Sequence, residues 1–202
     1  IRDGYAHSYK QYPHPRLTIY NELKQEARVA RRGLWAACDS SPVFADVPAV
    51  HPYLPAIRWG KDSGVLSGYP DGTFKPETTV NRAEFLKIVL AAKGIDATSG
   101  ETNSAFSDVE PGAWYAPYVR YAKESGIIQG HPDGTFKPGQ PVNYAEALKM
   151  AYVALGFDGD SSAGGEWYQR YLRHAQTHSI LFETNVDVSI GMTRKDVVWI
   201  VW

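Results

Sequence analysis

The sequence predicts a mainly α-helical chain of three helix–loop–helix repeats packed into one bundle. That expectation rests on a self-match at a fixed offset, a side-chain cap before one helix in every copy, and apolar residues at helical spacing behind each cap. The longest match carries Gly68-Tyr69-Pro70-Asp71-Gly72-Thr73-Phe74-Lys75-Pro76 onto Gly130-His131-Pro132-Asp133-Gly134-Thr135-Phe136-Lys137-Pro138, with eight of nine positions identical at an offset of 62 residues. The same offset carries Phe44-Ala45-Asp46-Val47 onto Phe106-Ser107-Asp108-Val109, Tyr53 onto Tyr115, and Asn81-Arg82-Ala83-Glu84 onto Asn143-Tyr144-Ala145-Glu146. A third copy is worn. Trp167-Tyr168 matches Trp114-Tyr115, Tyr171, Ala175 and Ile180 match Tyr118, Ala122 and Ile127, and Thr193-Arg194-Lys195-Asp196 stands where the other copies start their second helix. Its Pro-Asp-Gly loop is replaced by Phe182 to Gly191, and the chain is expected to stop at Trp202 inside the last helix.

Each unit reads in the same order. Tyr115, Val119 and Ala122 lie at i, i+4, i+7 on one face of a first helix, with Pro117 in its opening turns and Ser125-Gly126 at its end. Pro-Asp-Gly then makes a tight turn, because Pro presets φ, Asp bonds its own backbone and Gly takes φ > 0. The second helix opens on Asn81-x-x-Glu84, Asn143-x-x-Glu146 or Thr193-x-x-Asp196, capping boxes or close variants of one. Phe85, Ile88, Val89 and Ala92 form the apolar stripe behind the first cap, and Leu148, Ala151, Tyr152 and Leu155 that behind the second. Two short helices cannot bury their own faces, so stability must come from packing unit on unit, which predicts a closed bundle rather than beads on a string. The units are placed at 42–95, 104–158 and 163–202, with linkers at Asp96–Ser104 and Asp158–Gly165.

Composition sets the outer limits. The 202 residues are 44% hydrophobic and 21% charged with a net charge of −1, and no apolar run is long enough to span a bilayer. A lone Cys38 excludes an internal disulfide framework. The chain begins at Ile1, so it is expected to be a piece of a longer protein whose export signal lies upstream. Residues 1–38 carry seven Lys/Arg against three Asp/Glu, while 39–202 carry fourteen against nineteen.

The repeats resemble S-layer homology domains. The family pattern joins a Phe-x-Asp-Val opening, a Gly-Tyr-Pro-Asp-Gly-Thr-Phe-x-Pro loop and a Thr-Arg-Ala-Glu helix start. Here these are Phe44 to Val47, Gly68 to Pro76, and Asn81-Arg82-Ala83-Glu84. The resemblance implies a pseudo-threefold helical bundle and non-covalent attachment of an exported protein to a cell-wall polysaccharide or peptidoglycan-linked secondary polymer, often through a pyruvylated sugar. It places the module at the cell surface, in the S-layer or wall, and implies no cofactor. Arg82, just after its N-cap, and its counterpart Arg194 are the expected ligand cations, since free helix N–H groups, the dipole and a guanidinium all favour an anion. Lys75 and Lys137 add charge near the turn, Trp59 and Tyr121 offer faces to a sugar, and Glu84 completes the ligand-binding set. Tyr144 replaces the arginine in the second unit, and the third unit lacks its loop, which leaves the Arg82 groove as the best equipped.

Residues 1–38 resemble the C-terminal end of a thermonuclease of the staphylococcal-nuclease type. Gly4-Tyr5-Ala6 is followed by a basic helix, with Leu23, Ala27 and Ala30 at i, i+4, i+7, ending in Gly33-Leu34-Trp35. That family's calcium-binding and catalytic residues lie upstream of such a segment, so the resemblance implies a calcium-dependent nuclease as the possible parent and no catalysis from this chain. Nucleic acid would then be a partner only through the upstream domain. The other reading is an unrelated basic helix before a linker at Asp39–Pro42.

Other signals are weak. His174 and His178 have a zinc-like i, i+4 spacing without a third ligand in any motif. Asp158-Gly159-Asp160 lacks the glycine and closing glutamate of a calcium loop, with Ala163 and Gln169 in their places. No catalytic triad or metal motif stands out, and the sequence is read as neither an enzyme nor a metal protein.

Overall fold

Capped turns and helical apolar spacing give each element its place, and the computed structural model shows how the elements meet. It describes residues 19, 22–26, 42–98, 106–157, 164–178, 180–181 and 186–202. Residues 19 and 22–26 are helical. The remainder of the nuclease-like segment 1–38, Cys38, Asp158-Gly159-Asp160 and the middle of both linkers lie outside the described residues. The named helices are α1 (Leu54–Asp62), α2 (Arg82–Ala92), α3 (Ala116–Glu124), α4 (Tyr144–Leu155), α5 (Gln169–Thr177) and α6 (Arg194–Val201). None of them is long and apolar enough to cross a membrane. Among the described residues β-structure is limited to isolated bridges, so the chain is mainly α as expected.

The chain divides into two units, Ile1–Pro55 with Tyr69–Phe74, and Ala56–Gly68 with Lys75–Trp202. In the first, the Phe-x-Asp-Val opening clasps the turn. The Phe44 and Phe74 rings stack at 5.3 Å, the Phe74 N–H donates to Asp46 Oδ1 at 2.7 Å, and Ala45 N–H donates to the Gly72 carbonyl at 3.0 Å. Within the turn, Asp71 Oδ1 accepts from the Thr73 N–H at 3.0 Å and its hydroxyl at 2.6 Å, the self-bonded Asp turn that the sequence predicts.

In the second unit, the second helices of the three repeats form the centre. α2 packs against α4 and α6, and α4 packs against α6. Around them, α3 lies on α2 and α5 on α4. The cycle closes where α1 meets α6: a Cβ on Gly60 would lie 2.8 Å from Val198 Cγ2, so the two helices touch backbone to side chain. Each first helix thus covers the second helix of the preceding repeat, which is the pseudo-threefold bundle. It also widens the expected apolar stripe. Ala83, Phe85, Leu86, Ile88, Val89 and Leu90 of α2 are all buried, because a central helix has neighbours on most sides. Leu155, the last residue of the α4 stripe, is exposed instead.

Main-chain hydrogen bonds tie the three repeats at the starts of the central helices. Val80 N–H donates to the Met192 carbonyl at 2.9 Å, Met192 N–H to that of Val142 at 2.8 Å, and Val142 N–H to that of Val80 at 3.0 Å, a closed ring. The side chains of Val80, Val142 and Met192 are buried beneath it. Antiparallel bridges Thr79–Thr193, Asn81–Pro141 and Asn143–Gly191 repeat the same cycle. The worn third repeat keeps this framework without its sequence signature. Ile190 N–H donates to the Asp187 carbonyl as Thr78 does to Lys75 and Gln140 to Lys137. Main-chain groups make these bonds, so side-chain divergence does not remove them.

Candidate functional site

A helix N-terminus leaves four N–H donors without intrahelical partners. In α2 they are met from two directions. Asn81 Oδ1 accepts from Glu84 N–H at 2.9 Å, and Glu84 Oε2 returns the favour to Asn81 N–H at 2.9 Å, completing the capping box. Arg82 and Ala83 donate their N–H groups to the carbonyls of Gln140 and Pro138 in the second repeat, at 2.9 and 3.1 Å. Tyr144 and Ala145 donate likewise to Ile190 and Val188, and Arg194 and Lys195 to Thr78 and Pro76. The helix N–H groups expected to greet a ligand anion at Arg82 and Arg194 are therefore occupied by the neighbouring repeat, and this part of the sequence argument is corrected. What remains is a seam between each central helix and the loop of the following repeat.

At the first seam, Arg82 is only 6% exposed. Its Nε donates to the Phe136 carbonyl at 2.8 Å, its Nη1 pairs with Glu146 Oε1 at 2.9 Å, and its guanidinium lies 4.9 Å from the Phe136 ring centroid. The loop it holds is clasped from behind by Asp108, whose two oxygens accept from Phe136 N–H at 2.8 Å and Lys137 N–H at 2.7 Å. Lys137 has φ +59°, a left-handed conformation that costs a non-glycine residue and is further disfavoured before a proline. Its ammonium reaches Asp133 at 3.4 Å. The hydrogen bonds of Thr135, hydroxyl first and then amide, hold the Asp133 carboxyl below its ordinary range, with Lys137 adding to them. A carboxyl depressed by folding stabilises the loop above its ordinary pKa and loses that contribution only as pH falls through the lowered value.

Replacing Asp108 with alanine strips the acceptor from two loop amides and is expected to cost about 1–3 kcal/mol, read as a drop in the denaturation midpoint. An unchanged midpoint would show that the amides find other partners.

The seam from third repeat to first carries Arg194, whose Nη2 donates to the Ser67 carbonyl at 2.8 Å, and Lys195, whose ammonium pairs with Glu77 at 2.5 Å. Lys75, on the loop side, repeats the left-handed backbone with φ +55°. The seam from second repeat to third has Tyr144 in place of the arginine and Asp187 in place of the lysine. Of the other expected site residues, Glu84 is exposed on its cap, while Trp59 and Tyr121 are half-buried on α1 and α3. Sequence reasoning missed Asp108, Glu146 and Phe136, although all three sit inside the repeated motifs.

The histidine pair does not form a pincer. The His174 and His178 rings stack at 3.9 Å, His174 Nδ1 bonds the Tyr152 hydroxyl at 2.8 Å, and His178 Nδ1 donates to the His174 carbonyl at 2.9 Å. Burial pushes the Tyr152 hydroxyl above its ordinary pKa, so it stays protonated. No group of three or more His, Cys, Asp or Glu among the described residues is arranged to hold a metal ion.

Three repeats closed on one another, with an arginine and a left-handed loop lysine at two of the three seams, define a repeat-built module. Residues 43–86 and 105–148, the first two repeats, each match the S-layer homology domain model. The chain is 37% identical over 106 residues to the surface layer protein of Brevibacillus choshinensis, covering 52% of this chain and 9% of that protein. It is 33% identical over 126 residues to the cellulosome-anchoring protein of Acetivibrio thermocellus, covering 56% of this chain and 28% of that one. An uncharacterized cell wall amidase of Bacillus anthracis is 28% identical over 117 residues, or 55% of this chain and 20% of the amidase. The chain thus spans a small part of the length of these relatives.

Proposed function

We propose that this chain anchors the protein that carries it to a cell wall by non-covalent binding of a secondary wall polysaccharide, at a sugar bearing a carboxylate such as a pyruvylated one. The observation that carries the reading is the pairing of cations at the seams. Arg82 faces the loop of left-handed Lys137, and Arg194 faces that of left-handed Lys75; where the arginine is replaced by Tyr144, the lysine is replaced as well, by Asp187. Strained backbone at two equivalent positions is the signature of a site rather than of a spacer. In this reading Arg82 offers its remaining Nη2 edge, Arg194 and the two lysines supply charge, Glu84 bonds sugar hydroxyls, and Trp59 and Tyr121 flank the polymer. The module itself performs no reaction and uses no cofactor, and any chemistry belongs to other parts of the parent protein.

The test is co-sedimentation with wall sacculi that retain their secondary polymer and with sacculi stripped of it. Binding to the first alone is expected, and equal binding to both would overturn the reading. Lys137→Gly separates binding from folding, because it removes the charge while relieving a left-handed strain of about 1–2 kcal/mol. Weaker binding without loss of thermal stability is expected.

A second reading concerns the parent alone. The Gly4-Tyr5-Ala6 to Gly33-Leu34-Trp35 pattern suits the end of a calcium-dependent nuclease. DNA cleavage should then require sequence upstream of Ile1, and cleavage by residues 1–202 alone would contradict it.

A further inference from the structure

Trp114 and Trp167 are 53% and 50% exposed, unusual for so large an apolar side chain. Their surroundings are the same. The Lys87 ammonium lies 5.6 Å from the Trp114 ring centroid, and Lys149 lies 5.5 Å from that of Trp167. Tyr115 meets Trp114 edge-on at 5.4 Å and 86°, and Tyr168 meets Trp167 at 5.6 Å and 88°. In each cluster the lysine comes from a central helix and the two aromatics from the start of the next repeat. The lysines are 62 residues apart and the tryptophans 53, so the geometry is rebuilt across a change in repeat length. Packing need alone does not explain a half-open indole recreated this closely, since burial is what packing rewards.

We infer that the Lys87–Trp114–Tyr115 and Lys149–Trp167–Tyr168 clusters are two saccharide platforms for the same acidic wall polysaccharide. The inference rests on the anchoring function proposed above and adds a second kind of site to it. An indole held upright by an edge-on tyrosine offers a flat surface to the apolar C–H face of a pyranose, and the ammonium beside it suits a carboxylate or a hydroxyl of the same sugar. The occupant is a polymer because the platform is duplicated within one compact unit, and a chain of repeating sugars can engage both copies at once. The Lys149–Trp167–Tyr168 cluster lies between the second and third repeats, whose seam has lost its arginine and loop lysine. At the position equivalent to these lysines, the third repeat has Trp199, whose ring packs on Trp202 at 5.3 Å.

The experiment titrates the full 202-residue chain with purified acidic wall polysaccharide, following tryptophan fluorescence and sedimentation. Trp114→Ala and Trp167→Ala are each expected to weaken binding about tenfold, and the double variant further, with the unfolding midpoint held. Lys87→Gln, at an exposed side chain, should flatten the salt dependence of binding. Wild-type binding with both tryptophan variants within about twofold of it would overturn this inference and leave the anchoring function standing. Failure of the wild-type chain to bind any wall polysaccharide would remove both. A change in oligomeric state without a change in glycan affinity would assign the platforms to self-association and overturn the inference as well.

Discussion

Arg82→Ala is expected to lower the stability of the repeat bundle by about 3–5 kcal/mol, the usual cost of breaking one side of a buried ion pair. The arginine is 6% exposed, and its removal leaves Glu146 without its cation and the Phe136 carbonyl without its donor. Glu146 is itself the capping residue of α4, its other oxygen accepting from Asn143 N–H at 3.3 Å. One side chain therefore links the loop of the second repeat, the cap of α4 and the start of α2. Urea denaturation at neutral pH checks the magnitude, and a double-mutant cycle with Glu146→Gln isolates the pair. Arg82→Met combined with Glu146→Leu should recover much of the loss, because two apolar side chains leave no charge unpaired. A loss below about 1 kcal/mol for Arg82→Ala would mean that the seam is open to water and the pair is screened like a surface bridge. The same result bears on function, since loss of wall binding by an Arg82→Ala protein is interpretable only if the protein is still folded.

Gly130→Ala is the second large effect, expected at about 3 kcal/mol or more. Gly130 has φ +82°, which costs an L-residue about 1–2 kcal/mol. A Cβ there would also fall 2.1 Å from Phe106 Cε1. Phe106 has little room to move. It is buried, its ring lies 5.8 Å from that of Phe136, and the Lys123 ammonium sits over it at 5.0 Å. Overpacking adds about 1–3 kcal/mol to the conformational cost. Gly134→Ala is the matched control: its φ is +78°, but a Cβ there meets nothing within 4 Å, so it should show the backbone cost alone. Equal losses at the two positions would mean that Phe106 repacks freely.

Much of the fold was legible because its signals are local. The Asn81-x-x-Glu84 and Asn143-x-x-Glu146 boxes form as written, since a cap involves side chains and amides three residues apart. Gly126, expected at a helix end, takes φ +73° there, while Ile127 N–H reaches back to the Ala122 carbonyl at 2.8 Å. The site was legible only in outline. Arg82 and Lys137 were named from their motifs, but nothing local reveals that residue 82 reaches across 54 positions to the Phe136 carbonyl. The third repeat shows the same limit from the other side. It has no Pro-Asp-Gly loop, yet its turn from Asp187 to Ile190 and its bonds to Ala145 and Tyr144 match those of the intact copies.

By itself, the sequence determined the repeat, its period, the family resemblance, the helix caps and the turn chemistry, all of which depend on residues near one another in the chain. The tertiary structure decided that the helix N–H groups are spent on neighbouring repeats, that Arg82 is buried in a seam, and that the Val80–Val142–Met192 ring closes the cycle. It also decided which lysine meets which tryptophan. The physical reason is that these are contacts between main chain or side chains brought together only when three repeats close on one another. A pattern read along one repeat holds no record of what the next repeat places against it.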